Sequence, residues 1–173
     1  MASKFKVGDK IVYPNQGVGV VEEICKTAAF SDDSAESCSF YRLRILGSDT
    51  TVLVPIEKSD ILGLRSVISK DKVSKLLTML RKNTPKSSRN WKGRFKENSE
   101  KMQTGKIEDV AEVFRNLHHL NLEKPLSYRE KRMMERAREM IISEVAEAEK
   151  LSENAASERV DKAITYKQRT ARS

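Results

Sequence analysis

The sequence predicts an α+β protein in which a small, strongly bent β-barrel domain precedes a compact all-α domain of about five helices. Three observations predict it. Up to about residue 60, short runs rich in Val, Ile, Leu and Tyr alternate with tight-turn signals. From residue 69 onward, apolar residues recur at helical spacing behind capping residues. The chain has 173 residues, 38% of them hydrophobic and 34% charged, which allows one or two small domains with modest cores.

The β elements follow in order. "KIVYP" reads as a short strand, and "NQG" after it as a turn. "VGVVEEI" is the second strand. "AAFSDDSAES" is a polar loop. "FYRLRIL" alternates Tyr41, Leu43 and Ile45 with Arg42 and Arg44, the period-2 pattern of a strand with one wet face. "GSDT" turns the chain into "TVLVPI", a strand ended by Pro55. Four or five such strands imply a bent barrel whose edges need protection or serve as docking rails. The link to the helical part falls near "KSDILGLRS".

The helical elements follow. Ser69 caps a helix with the stripe Val73, Leu76, Leu77 and Leu80. Ser88 starts a second helix, which carries Trp91. After Gly105, a third places Ile107, Val110, Phe114 and Leu117 on one face. "SYRE", Ser127 to Glu130, is a capping box that opens a fourth, with Met133, Ala137, Met140, Ile141 and Val145 inward. Val160 and Ile164 support a short last helix. The domain limits predicted on this basis are 1–62 and 63–165, with a frayed, flexible tail at 166–173.

Composition narrows the function. The net charge is +8, and residues 81–106 supply +7 of it through nine Lys/Arg against two Glu. A basic segment of that kind suits a polyanionic partner such as nucleic acid. The N-terminus has no apolar core of a signal peptide, and no run approaches the ~18 apolar residues of a membrane span. The expectation is a cytoplasmic protein without a membrane partner. Cys25 and Cys38 suit two thiols better than a disulfide in that setting. No phosphate-binding, zinc-protease or serine-hydrolase motif is present, and Gly17 and Gly19 in "NQGVGV" read as turn glycines. Adjacent His118 and His119 diverge by about 100° on a helix and share no metal well. Neither a catalytic residue, a metal site nor a cofactor is predicted. A nuclease would need clustered carboxylates, and the basic segment has only Glu97 and Glu100.

The segment "RNWKGRFK" holds the only tryptophan. Two readings of Trp91 stand side by side. Helical spacing puts Trp91, Phe95, Asn98 and Met102 on one face, which makes Trp91 a core anchor. Alternatively, Trp91 is exposed in the first turn, with Lys92, Arg94 and Lys96 neutralising phosphates around it, and Phe95 takes the core role. Large apolar side chains can wedge between base steps while cations hold the backbone. Lys131 and Arg132 lie near the start of the fourth helix, where a cation does not help the macrodipole and an anionic partner would account for it.

Together these motifs resemble the CarD/CdnL family of bacterial transcription regulators. "FKVGDKIVYPNQGVGVVEEI" is similar to the family's opening, "TVLVPI" to the strand closing its small domain, and "NWKGRFKENSEKMQTGKIEDVAEVFRNL" with "LSYREKRMMERAREMIISEVA" to its helical domain. The resemblance implies a Tudor/SH3-like β domain that binds the RNA polymerase β subunit. It also implies a helical domain that contacts promoter DNA at the upstream edge of the transcription bubble and stabilises the open complex. Trp91 matches the family's minor-groove wedge, and Arg94, Lys96 and Lys131 match basic positions beside it, with Lys92 and Arg132 as further DNA contacts. Gly93 stands where some relatives carry another basic residue. Polymerase contact is assigned to Lys26, Thr27, Leu53 and Pro55, and Thr27 and Leu53 replace an arginine found in some members. The chain is expected to act as a monomer, associated with the nucleoid through the polymerase and with little sequence specificity of its own. The alternative is an architectural nucleic-acid-binding protein without a polymerase partner.

Overall fold

The computed structural model describes residues 3–28, 37–84 and 90–166. The chain divides into two compact units, Met1–Val67 and Ile68–Ser173. The first is a five-stranded antiparallel sheet and the second is all helix, which is the predicted fold class.

In the first unit the strands are β1 (Lys10–Tyr13), β2 (Gly17–Ala28), β3 (Ser37–Ile45), β4 (Thr51–Pro55) and β5 (Arg65–Ser66), in spatial order β4-β3-β2-β1-β5. Left-handed residues shape both tight turns: Asn15 (φ 61°) and Gly17 (φ 99°), the first residue of β2, at the β1–β2 turn, and Gly47 (φ 90°) and Asp49 (φ 55°) between β3 and β4. Phe5, Ile11, Val21, Tyr41, Leu43, Val54, Ile56 and Leu64 form one core. The buried Tyr41 hydroxyl is satisfied by the Phe5 amide, which donates to it at 3.2 Å.

Four details differ from the sequence expectation. β2 is twelve residues long and runs on to Ala28, and β3 begins at Ser37, so both ends of the stretch expected as a loop are strand; residues 29–36 lie outside the described ones. The register shifts between Val21 and Glu23, a bulge that lets Glu22 and Glu23 both face solvent while Val21 and Ile24 turn inward. Glu22 accepts from Arg44 and Glu23 from Arg42, each at 2.7 Å. Gly19 is not a turn residue. It pairs with Ile11 and Ile45 inside the sheet, where a Cβ would come within 3.2 Å of the Ile45 side chain. The stretch expected as a linker is folded into this unit, as a 3-10 turn at Ile56–Lys58 and β5 beside β1.

The second unit holds α1 (Lys70–Arg81), α2 (Trp91–Gln103), α3 (Ile107–Glu123), α4 (Tyr128–Glu149) and α5 (Glu153–Ile164). The stripes predicted for α1 and α3 are buried throughout, as are Ala137, Met140, Ile141 and Val145 of α4 and Val160 and Ile164 of α5; Met133 is half-buried against the same core. The cap of α2 is Asn90 rather than Ser88, which lies outside the described residues, as does the tail beyond Tyr166. Phe95 does not take the core role. It is only half-buried, and the buried residues of α2 are Asn98 and Met102, two and three turns along.

Candidate nucleic-acid interface

The start of α2 is built by its cap. Asn90 is extended (φ −65°, ψ 166°), and its side-chain oxygen accepts from the Gly93 amide at 3.0 Å. Trp91 is therefore the first helical residue, and it remains 46% exposed. The Lys92 ammonium stands 5.8 Å from the ring centroid, within cation–π range. Lys96, one turn further, is exposed. The first turn of α2 carries no acid, so its free amides and positive dipole end are not offset there.

α4 starts on the predicted capping box, which is complete. Ser127 Oγ accepts from the Glu130 amide at 3.3 Å, and Glu130 Oε2 accepts from the Ser127 amide at 3.2 Å. That leaves Oε1 for Arg94, whose Nε donates to it at 2.8 Å. The two side chains are 12% and 2% exposed, so this is a buried ion pair joining the first turns of α2 and α4. Burial pushes the Glu130 carboxyl up, but the Arg94 guanidinium and the Ser127 amide and hydroxyl outweigh it and hold it below the ordinary glutamate value.

The pair holds Arg94 inside the protein. Expected among the phosphate contacts, it is committed inside the protein to a buried carboxylate. Lys131 and Arg132 follow Glu130 directly and are exposed, as is Arg129 before it. The Arg94–Glu130 pair therefore links the start of α2, which carries Trp91, Lys92 and Lys96, to the start of α4, which carries Lys131 and Arg132. An aromatic residue not singled out from the sequence also stands there: Tyr128, the first residue of α4, is 76% exposed. Its place one residue after a cap was the available signal.

In the β unit, register sorts the four predicted polymerase contacts. Leu53 pairs with Arg42 and Pro55 with Phe40, so Leu53, Pro55, Phe40 and Arg42 share one face of the sheet, and Leu53 is 57% exposed. Thr27 pairs with Cys38 in the ladder, and its side chain lies outside the described residues. Lys26 falls on the opposite face and is not brought together with the others. Phe40 and Arg42, which complete the rows Cys25–Phe40–Pro55 and Glu23–Arg42–Leu53, were missed as site candidates although their even spacing with Arg44 signalled the shared face.

Among the described residues, no group of three or more His, Cys, Asp or Glu could hold a metal ion, and no helix is long and apolar enough to cross a membrane.

Two family models match the two units in order: the CarD-like/TRCF RID domain over residues 5–68 and the CarD C-terminal domain over residues 75–161. The chain belongs to the CarD/CdnL family. A CarD-family relative from Bacillus subtilis (strain 168), the candidate transcription factor YdeB, is 33% identical over 141 residues, which cover 82% of this chain and 90% of the relative. A solved structure, "CdnLNt from Myxoccoccus xanthus", is 44% identical and covers 40% of this chain and 93% of its own, with a TM-score of 0.32. The CarD-family RID match ends just after β5, and the C-terminal match begins within α1 and ends within α5.

Proposed function

We propose that this CarD-family chain stabilises the open promoter complex by holding its upstream edge. The β unit docks on the RNA polymerase β subunit through the face that carries Leu53, Pro55 and Phe40 beside the β4 edge. The helical unit lays Trp91 into the minor groove where the duplex gives way to single strands. Lys92, Lys96, Lys131 and Arg132 neutralise phosphates around it, and Arg94 positions the helix rather than touching DNA. In this reading the chain acts as a monomer, needs no cofactor, and leaves the choice of sequence to the polymerase.

The observation that carries the reading is the half-exposed Trp91 at a capped, acid-free helix start among exposed cations. A core tryptophan would be buried, and a surface without a partner has no reason to place its one indole there. Only a contact made better in the open than in the closed state shifts the equilibrium. A base-stacking contact of ~1–3 kcal/mol changes the open population roughly 5- to 150-fold. The measurement is open-complex decay at one promoter. Trp91→Ala shortens the lifetime while the protein still pulls down polymerase; an unchanged lifetime overturns the wedge.

A further inference from the structure

The starts of α2 and α4 repeat one local arrangement. Each is a capping residue, then an exposed aromatic, then a cation: Asn90-Trp91-Lys92 and Ser127-Tyr128-Arg129. In both, the cap side chain accepts from the third helical amide, at 3.0 Å in α2 and 3.3 Å in α4. The first two helical amides are thereby left without an intrahelical partner and available to an anion. The buried Arg94–Glu130 pair ties the two starts together. It also removes the one acid of the α4 first turn from the surface, so the charge presented around Tyr128 comes from Arg129, Lys131 and Arg132.

Tyr128 does nothing for the fold that would explain it. Its ring packs in neither core and its hydroxyl has no hydrogen-bond partner among the described residues. An aromatic at the first helical position neither caps nor buries area. The other aromatic so placed among the described helices is Trp91, at the start of the helix that the Arg94–Glu130 pair ties to this one.

We propose that Tyr128 is a second nucleic-acid contact, stacking on an unpaired base next to the site Trp91 occupies, at a separation set by the Arg94–Glu130 pair. The inference rests on the reading of Trp91 above and extends it from a single wedge to a two-point grip. Two rings on one rigid frame select a forked junction over an unbroken duplex, because only the fork offers unstacked bases to both. Lone cations could not make that distinction, since phosphates run along both kinds of DNA.

The test uses the full chain with fluorescently labelled DNA, comparing a duplex ending in a single-stranded fork with the unbroken duplex. Tyr128→Ala weakens fork binding about 5- to 100-fold, leaves duplex binding within about twofold, and keeps the salt slope, because no cation is lost. Tyr128→Phe retains fork binding, since the ring carries the stacking. Tyr128→Glu separates folding from contact: a carboxylate at a helix start favours the helix dipole, so the melting temperature holds or rises while fork binding falls further than with Ala. Wild-type fork binding by Tyr128→Ala, with loss in Trp91→Ala, overturns the second contact and leaves the Trp91 reading intact. Wild-type binding by both variants overturns both.

Discussion

Arg94 shows how far a side chain's neighbours can redirect its role. Its spacing from Trp91 is that of a phosphate contact, yet its guanidinium sits against Glu130 with almost no solvent between them. Truncating Arg94 to Ala strands a buried carboxylate, and breaking a buried pair in this way costs about 3–5 kcal/mol. Urea unfolding measures it, and adding Glu130→Gln recovers part of the loss by removing the stranded charge. The pair also predicts an acid limit. Glu130 has its folded value held below the ordinary 4.5, so its contribution is fully present above 4.5 and is lost as pH falls through the folded value. His118 has the same sign from a different cause. Burial lowers its pKa below 6.5, against the pull of Asp161, and its Nε2 is buried without a partner in a cavity it shares with Glu135, Arg138 and Asp161. The unfolded imidazole takes its proton first, so stability is complete above 6.5 and declines as pH drops below it. Melting temperatures between about pH 7.5 and 5.5 should fall for the native protein and flatten in His118→Leu.

At the scale of elements, helices were more legible than strands. A stripe such as Val73, Leu76, Leu77 and Leu80 repeats its signal over three turns, so one misread residue does not erase it. The capping box of α4 was legible because its two partners lie within four residues of each other. The bulge in β2 was not, since period-2 reasoning has no place for an extra residue; "VVEEI" makes sense only once Arg42 and Arg44 are seen across the ladder. β5 is two residues long and carries no pattern at all. Phe95 was misassigned because spacing identifies a face, whereas the depth of each turn depends on how the helix crosses its neighbours. The face of β3 and β4 yields its own prediction. Leu53→Asp, at a position with ample solvent and no core contact, leaves the melting temperature within a few degrees and abolishes capture of polymerase. If capture persists, docking uses another surface.

Over the whole molecule, the chain builds two separate cores, one in each unit. Residues 81–106 hold +7 of the +8 net charge, so under the proposed function the helical unit carries the attraction to DNA. A tether that keeps that unit at the promoter works as an effective concentration, on the order of mM for a short flexible connection. The isolated unit 68–173 should therefore bind forked DNA like the full chain but fail to lengthen open-complex lifetimes at the same concentration. Equal lifetimes would show that docking on polymerase is dispensable. The sheet carries a further consequence for the protein when its partner is absent. Among the described residues β4 pairs on one side only, which leaves a row of backbone groups open to another copy of the same strand. Pro55, without an amide hydrogen, closes that row at its end, so Pro55→Thr would lengthen the sticky rim. Overexpressed without polymerase, that variant is the one to precipitate first.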